Sequence, residues 1–213
     1  MDVSVPVGGN TRQLLATWRK HKVLADVRPP SRTDETASLV GDSLYVFGGF
    51  DDKDDDLKND LWKLDLSAPE PRWEELHVTG TPPSPHDDHA AVVIGDRIVF
   101  CGGRCRPNVA GNTLKIAVDQ HGNNTFYEGG FAMLDITRGR WLQIQHPTHS
   151  VYDEDGNLLS TTTDEPDNDD DDERMWEYRT GHVMVPAQRG LLVIGGLGYL
   201  GDMLNDVLHV GLF

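Results

Sequence analysis

One short pattern occurs three times in this chain: four apolar residues followed by two glycines. It reads SLYVFGG at Ser43–Gly49, RIVFCGG at Arg97–Gly103 and GLLVIGG at Gly190–Gly196. Short apolar runs bounded by glycine are typical of buried strands, and a glycine pair lets the chain leave a sheet where a Cβ atom would be in the way. Because the same ending recurs, we expect an internal repeat to organise the whole chain.

The sequence around each glycine pair repeats the same order of signals. A Trp comes first, then a hydrophobic strand, a turn such as Gly41-Asp42 or Gly95-Asp96, the strand that ends in Gly-Gly, and one further strand. That further strand is preceded by Asn59-Asp60 in the first unit and contains Asn205-Asp206 in the third. No segment has the long helical period with caps that predicts a helix. The sequence therefore predicts an all-β fold.

These motifs resemble the kelch repeat, whose unit forms one four-stranded propeller blade. The kelch pattern has Arg-x-x-His before the first strand, Gly-Gly closing the second, Asn-Asp opening the third and Trp on the fourth. Arg179–His182 carries the first element in full, His86–His89 keeps its His, and Arg32–Thr36 keeps its Arg. The resemblance implies three four-stranded antiparallel blades of a kelch-type β-propeller. It covers residues 13–213, after an extension at 1–12, in units of about 18–72, 73–140 and 141–213.

The phase of the repeat leaves the last unit without a fourth strand of its own. The chain starts with a Trp-bearing outer strand at about residues 14–24 and ends on a third strand, Asp206–Phe213. We expect the N-terminal strand to complete the last blade, which would remove an exposed edge. Three blades are fewer than the 4–8 of typical propellers. The alternatives are half of a six-bladed homodimer, a partial propeller cut from a longer one, or open flanks that pack against another protein.

Acidic residues outnumber basic ones by 35 to 19, which gives a net charge of −16. Two runs hold most of the excess: Asp51–Asp56 has five Asp and one Lys, and Asp164–Glu173 has eight acids and no base. Such a chain repels phosphate backbones and favours a basic protein or peptide, so we expect no nucleic acid partner. We also expect no membrane association, because no run of 18 apolar residues and no secretory h-region is present. With two cysteines only, a cytoplasmic location is expected, with the nucleus as the alternative.

All the long connections are expected on one face of the propeller. Strands alternate in direction within a blade, so the loop between its second and third strands and the connection between blades lie on the same side, called here the loop face. This face carries Phe50–Lys58, Arg104–Gly129 and the acidic insertion 147–178. Long loops in a compact domain are usually functional or disordered. We expect disorder for Asp164–Glu173, whereas Leu114–Val118 is a candidate strand.

The loop face is also the candidate partner-binding surface, because binding residues tend to lie on loops held by a rigid scaffold. Some of its Arg and His side chains lie near the starts of first strands, where they either recognise carboxylates or tie loops to backbone carbonyls. The candidate residues are Arg32, Asp51, Asp52, Asp54, Asp55, Asp56, His86, His89, Arg104, Arg106, Arg179 and His182.

Motifs that carry chemistry are weak in this sequence. His86–His89 has the residue types of a metal site, but alternate residues on a strand point to opposite faces. Asp51–Asp56 lacks the spacing of an EF-hand. The Asp202, Asp206 and His209 pattern differs by one residue from the iron-binding motif of kelch specifier proteins. No nucleophile elbow, phosphate loop or dinucleotide fingerprint is present, so we expect no catalytic residue, metal or cofactor.

The sequence therefore favours a non-catalytic protein–protein interaction module, an adaptor or a subunit of a complex, that binds its partner through the loop face. The kelch resemblance implies this use, since family members mostly bind proteins. The alternative is an enzyme similar to the sugar epimerases or iron-assisted lyases of the family. That alternative requires Arg, His and carboxylate groups that converge in the central channel.

Overall fold

The computed structural model describes residues 23, 27–106, 114–118, 124–128, 130–143, 149–152, 158–162, 179–198 and 203–211. Within these residues the chain forms β-strands and no helix, as the sequence predicts, so none of them forms a helix able to cross a membrane. In chain order the strands are β1 (Thr36–Val40), β2 (Ser43–Phe47), β3 (Phe50–Asp51), β4 (Asp56–Leu57), β5 (Leu61–Asp65), β6 (Trp73–Glu75), β7 (His86–Asp87), β8 (Ala90–Ile94), β9 (Arg97–Cys101), β10 (Arg104–Cys105), β11 (Leu114–Val118), β12 (Asn124–Glu128), β13 (Phe131–Asp135), β14 (Arg140–Gln143), β15 (His149–Tyr152), β16 (Leu158–Thr162), β17 (Arg179–Thr180), β18 (Val183–Ala187), β19 (Gly190–Gly198) and β20 (Met203–Gly211).

The first two blades are complete four-stranded antiparallel sheets. Blade 1 has the strand order β1-β2-β5-β6, and blade 2 has the order β8-β9-β13-β14. In blade 3, β18, β19 and β20 form the first three strands, with β19 in the middle. The outer strand predicted at residues 14–24, which was expected to complete this blade, lies outside the described residues except for Val23. The described chain is therefore a partial propeller with kelch-type blades.

The strand registers show which residues of the three blades are equivalent. In each blade the first strand begins opposite the residue that precedes the glycine pair: Thr36 opposite Phe47, Ala90 opposite Cys101, and Val183 opposite Ile194. The residues just before these first strands are equivalent in turn. Glu35 therefore corresponds to His89 and His182, and Arg32 corresponds to His86 and Arg179.

The connections predicted to share one face meet there as far as the described residues extend. In every blade, the segment after the glycine pair forms a β-bridge with the segment that enters the first strand: Thr33 with Phe50, β7 with β10, and β17 with the end of β19. The loop of blade 1 adds the hairpin β3–β4, and the long loop of blade 2 adds β11 and β12, which extend the β7–β10 sheet. Leu114–Val118 is thus the strand that the sequence suggested. The acidic run Asp164–Glu173 lies outside the described residues.

The core lies between blades rather than within them. One cluster joins the trailing face of blade 1, the face towards blade 2, to the leading face of blade 2 through Phe47, Phe100 and Trp141. The ring centroids of Phe47 and Trp141 are 5.0 Å apart, and Trp141 lies on β14, the fourth strand of blade 2. A second cluster joins blade 2 to blade 3 and contains Cys101 and Val193. Each blade therefore depends on its neighbours to bury its apolar faces.

The glycine pairs lie where these neighbours come closest. A Cβ atom on Gly48 would lie 2.9 Å from the carbonyl oxygen of His86 in the next blade, and one on Gly102 would lie 2.4 Å from that of Arg179. The second glycine of each pair has its own close contact, and a Cβ atom on Gly103 would lie 2.5 Å from the carbonyl oxygen of Asp87 in the same blade. All the residues of the three pairs have positive φ. The repeated Gly-Gly is thus required by sterics as well as by backbone conformation.

The substitution Gly102→Ala separates these two requirements when it is compared with Gly95→Ala. Both glycines have φ near +65°, at +66° and +63°, but nothing lies within 4 Å of a Cβ atom on Gly95. We expect Gly95→Ala to lower the free energy of unfolding by about 1 kcal/mol and Gly102→Ala by about 2 kcal/mol more. Urea unfolding measures both values. Equal losses would contradict the role of the contact between blades.

Candidate functional site

Two of the candidate arginines each join three parts of one blade. Arg32 donates to both carboxylate oxygens of Asp60, at 2.6 and 2.8 Å, and to the carbonyl of Gly48 at 2.8 Å. Arg179 does the same with Asp206, at 2.9 and 3.0 Å, and with the carbonyl of Gly195 at 2.9 Å. Their side chains are 3% and 0% exposed. Each arginine therefore ties its glycine pair to the Asn-Asp sequence, and we call each set an arginine clamp.

The clamps also determine the ionisation of their carboxylates. Burial raises the pKa of Asp60, but hydrogen bonds from Arg32 and Trp62 outweigh that effect and leave the pKa below its ordinary value. For Asp206, which is less buried, the hydrogen bond from Arg179 is the main cause of a lowered pKa. Both carboxylates are therefore held in the charged form, as a bidentate pair with a buried guanidinium requires.

Blade 2 lacks the clamp, and both of its charged partners are replaced together. His86 stands where the other blades have Arg, and Gly130 stands where they have Asp. The side chain of His86 is buried, with Nδ1 2.5 Å from the carbonyl oxygen of Ser84. Replacing one partner alone would leave a buried charge without compensation, which is costly. The paired change can be read from the aligned units, although its reason is visible only in the folded chain.

The candidate histidines lie buried between blades. The ring centroids of His86 and His89 are 4.3 Å apart, and both rings contact Phe47 edge-on. Nε2 of His89 lies 2.8 Å from the hydroxyl of Thr36 in blade 1. Within the described structure, neither ring nitrogen of His182 has a hydrogen-bond partner. The reason is that Ala90 takes the place in blade 2 that Thr36 has in blade 1, and an alanine has no hydroxyl.

Burial keeps the imidazoles of His89 and His182 neutral. It lowers the pKa of His89 well below its usual value, and the neighbouring His86 and His182 add to the effect. Burial, together with the positive charge of Arg179, lowers the pKa of His182 to about 4. Such rings cannot offer a positive charge to a ligand at neutral pH. Their place in the fold is that of packing groups between blades.

Arg104 lies at the centre of a charged cluster on the loop face. It forms a bidentate pair with Asp87, at 3.1 and 3.0 Å, and it also lies 3.0 Å from Asp88 and 4.0 Å from Asp34. Desolvation raises the pKa of Asp87, which the charge and hydrogen bonds of Arg104 only partly offset. The cluster joins blade 1 to blade 2, since Asp34 belongs to the first and the other three residues to the second. Asp34, Asp87 and Asp88 were not among the candidate partner-binding residues of the sequence analysis.

The acidic run of blade 1 is on the same face. Asp51 is buried and accepts a hydrogen bond from the backbone N–H of Lys53 at 3.0 Å, whereas Asp55 and Asp56 are exposed. Lys58 lies 3.2 Å from Asp56, and Arg106 bonds both the carbonyl and the carboxylate of Asp55. The loops of blades 1 and 2 are thus connected directly. We call the whole surface the acidic collar, which consists of Asp34, residues 51–58, Asp87, Asp88, Arg104 and Arg106.

Several carboxylates of the sequence patterns that resemble metal sites form ion pairs with arginines in the structure. Asp206 belongs to an arginine clamp, Asp202 lies outside the described residues, and Asp87 and Asp88 bind Arg104. In the part of the chain that the structure describes, no three His, Cys, Asp or Glu side chains are arranged to hold a metal ion. Cys101, at the end of its strand, is in the core between blades 2 and 3.

The substitution Arg179→Ala tests whether the clamp is a structural element. Because it would leave Asp206 without its partner and a cavity in the interior, we expect the free energy of unfolding to fall by about 2–3 kcal/mol. The matched control is Arg72→Ala, since Arg72 is exposed and lies 4.0 Å from Glu70. That control should cost less than about 0.5 kcal/mol. Similar small losses for both variants in urea unfolding would contradict the structural role.

The lowered pKa of His182 predicts a stability that depends on pH. The unfolded chain takes up a proton near pH 6.5, whereas the folded chain resists it until the pH reaches about 4. The stabilisation is therefore complete above pH 6.5 and is lost as the pH falls towards 4, by roughly 3 kcal/mol for this one group. Urea midpoints measured across this pH range check the expectation. The variant His182→Gln should show a smaller slope, and an unchanged slope would contradict the assignment.

Comparison with known proteins shows which proteins have sequences similar to this chain. A family model described as the KLHDC2/KLHL20/DRC7 Kelch-repeats domain matches residues 10–208. Kelch domain-containing protein 3 of Rattus norvegicus is 27% identical over 176 residues, which cover 77% of this chain and 42% of that protein. Acyl-CoA-binding domain-containing protein 5 of Arabidopsis thaliana is 47% identical over 79 residues, which cover 36% of this chain and 12% of that protein.

Among solved structures, one titled "Structure of YjhT" matches with a TM-score of 0.54 and 16% identity, over 86% of this chain and 44% of that one. A likeness at this identity concerns the fold alone. The chain spans less than half the length of the relatives it matches. Since the family model covers nearly all of the sequence and the blades have the expected strand order, the chain belongs to the kelch-repeat domain family.

Proposed function

We propose that this chain is a non-catalytic interaction module that binds a basic segment of a partner protein on the acidic collar. The observation that carries the proposal is the cluster around Arg104, in which one guanidinium lies among the carboxylates of Asp34, Asp87 and Asp88. These carboxylates keep part of their surface open, with the side chains of Asp34 and Asp88 44% and 33% exposed. A Lys or Arg side chain of a partner has carboxylate oxygens to bind there.

The balance of charge over the collar supports a basic partner. The collar contains eight carboxylates and four basic side chains, a local net charge of −4. Most of the basic groups are already engaged, since Lys58, Arg104 and Arg106 pair with collar aspartates. Within the described part of the chain, Asp52 and Asp54 form no ion pair. A complementary potential of this kind speeds association and selects against acidic partners.

The construction of the collar favours binding rather than catalysis. Its segments are joined by β-bridges and ion pairs across two blades, so the surface is held rigidly by the sheets beneath it. Among the candidate side chains on this face, Arg32 and Arg179 already bind Asp60 and Asp206 in the arginine clamps. His89 and His182 are buried between blades. Kelch domains commonly bind proteins, which agrees with the proposal.

The proposal is tested by neutralising the carboxylates that form no ion pair. The double variant Asp52→Asn/Asp54→Asn removes two negative charges from the collar without breaking a described contact. The probe is a fluorescein-labelled peptide rich in Lys and Arg, with a peptide in which Glu replaces these residues as its counterpart. We expect the double variant to bind the basic peptide about three- to tenfold more weakly, and the affinity of the wild type to fall as salt is added.

A control variant removes the same charge at another place. Glu74→Gln/Glu75→Gln changes two exposed carboxylates on the outer strand of blade 1, away from the collar. Its affinity for the basic peptide should equal that of the wild type. Equal weakening by both double variants would indicate a general effect of net charge and would contradict a site on the collar. Binding that is indifferent to salt would contradict the role of charge altogether.

A further inference from the structure

The segment that follows the glycine pair of blade 2 is basic, and it lies on the acidic collar of the same chain. Arg104 and Arg106 are alternate residues of this segment, and both side chains reach aspartates of blade 1. Arg104 lies 4.0 Å from Asp34, and Arg106 bonds the carbonyl and the carboxylate of Asp55. The collar is therefore already occupied by cationic side chains of the kind that a basic partner carries.

Asp34 and Asp88 occupy the same position in adjacent blades, and their backbones lie side by side. The N–H of Asp88 donates to the carbonyl of Asp34 at 3.1 Å. The two residues have left-handed φ values of +58° and +55°, and Gly181, their counterpart in blade 3, has +61°. Glycine adopts this conformation more readily than aspartate does. Blades 1 and 2 thus present a carboxylate where blade 3 has no side chain.

One guanidinium holds these two carboxylates, but it holds them less firmly than it holds Asp87. Arg104 forms a bidentate pair with Asp87, whose side chain is only 9% exposed. Towards Asp88 and Asp34 it offers a single nitrogen, at 3.0 and 4.0 Å, and both carboxylates are partly exposed. Water screens ion pairs at exposed positions, whereas a bidentate pair with a buried carboxylate is strong. A second cation can therefore bind Asp34 and Asp88 while Arg104 keeps Asp87.

We propose that Arg104 is an internal competitor of the partner, which must displace it from Asp34 and Asp88 to seat one Lys or Arg side chain there. This inference rests on the proposed function, and it adds which carboxylates receive the partner's charge and what limits the affinity. The backbone of Arg104 stays in place, because β10 is paired on both sides, with β7 and with β12. Only the end of the side chain moves, and that side chain is 41% exposed.

An exchange that leaves the net charge unchanged tests the competition. The double variant Asp87→Asn/Arg104→Gln removes the bidentate pair as a unit, so that no buried charge is left without its partner. It also frees Asp34 and Asp88. We expect it to bind the fluorescein-labelled basic peptide about three- to tenfold more tightly than the wild type does, because two partly exposed carboxylates become available. An ion pair that is merely structural gives no such gain when it is removed.

A second step assigns the gain to the two carboxylates. Adding Asp34→Asn and Asp88→Asn to the exchange variant should abolish the gain. The same two substitutions in the wild type should weaken binding less, because Arg104 already occupies both carboxylates there. Asparagine adopts the left-handed conformation as aspartate does, so the fold should persist, which circular dichroism checks. A gain that survives these substitutions would overturn the proposal.

The control is Lys63→Gln/Glu74→Gln, which also removes one base and one acid. These two residues are opposite each other on β5 and β6 of blade 1, away from the collar. The control should leave the affinity unchanged, and an equal gain in it would overturn the competition. Arg104→Lys provides a second probe that keeps the charge, since one ammonium cannot form the bidentate pair and contact Asp88 at the same time. It should show a smaller gain in the same direction.

The outcomes distinguish this inference from the proposed function. If Asp52→Asn/Asp54→Asn weakens binding of the basic peptide but neither Arg104 variant strengthens it, the collar binds as proposed and the competition is overturned. If neither the wild type nor the Arg104 variants bind the peptide, both proposals are overturned. Binding by the exchange variant alone, with a wild type that does not bind, would support complete competition by Arg104.

Discussion

The contact between the glycine pair of one blade and the incoming backbone of the next is the constraint on which the rest of this structure depends. We call the contact between two neighbouring blades a seam. In the seam between blades 1 and 2 and in that between blades 2 and 3, a carbonyl oxygen of the following blade lies close to where the first glycine would have a Cβ atom. The second glycine donates its N–H to the same carbonyl. This close approach brings the apolar faces of two blades together. The core therefore lies in the seams, and a blade without a neighbour leaves its face exposed.

The same contact explains how the polar residues of the repeat are used. An arginine clamp in blades 1 and 3 ties the first glycine to the strand that follows, and blade 2 does without it by replacing Arg and Asp together. In blades 2 and 3, a buried histidine packs against the first glycine of the pair in the preceding blade. Four candidate partner-binding residues therefore have structural contacts within or between blades: Arg32, Arg179, His89 and His182. What remains for recognition on the described loop face is mainly the carboxylates of the collar.

The acidic collar and the contacts between blades differ in chemistry. The collar is charged and is held by loops bonded to one another, which suits recognition that depends on electrostatics. The faces that meet between blades are apolar, with side chains such as Phe47 and Cys101 that are only 1% and 3% exposed. Recognition on the collar and packing between blades can therefore be tested separately.

The sequence by itself determined the all-β fold, the kelch-type blades, the sharing of one face by the loops of blades 1 and 2 and the strand at Leu114–Val118, because these follow from local patterns and from the alternation of strand direction. Only the tertiary structure decided what the side chains do. Arg104 meets Asp34 across a gap of 70 positions in sequence. Among the described residues, the ring nitrogens of His182 lack a hydrogen-bond partner because the folded chain places Ala90 where blade 1 has Thr36. Contacts between blades have no periodic signal in the sequence, since each depends on the distance and direction of groups from different repeats.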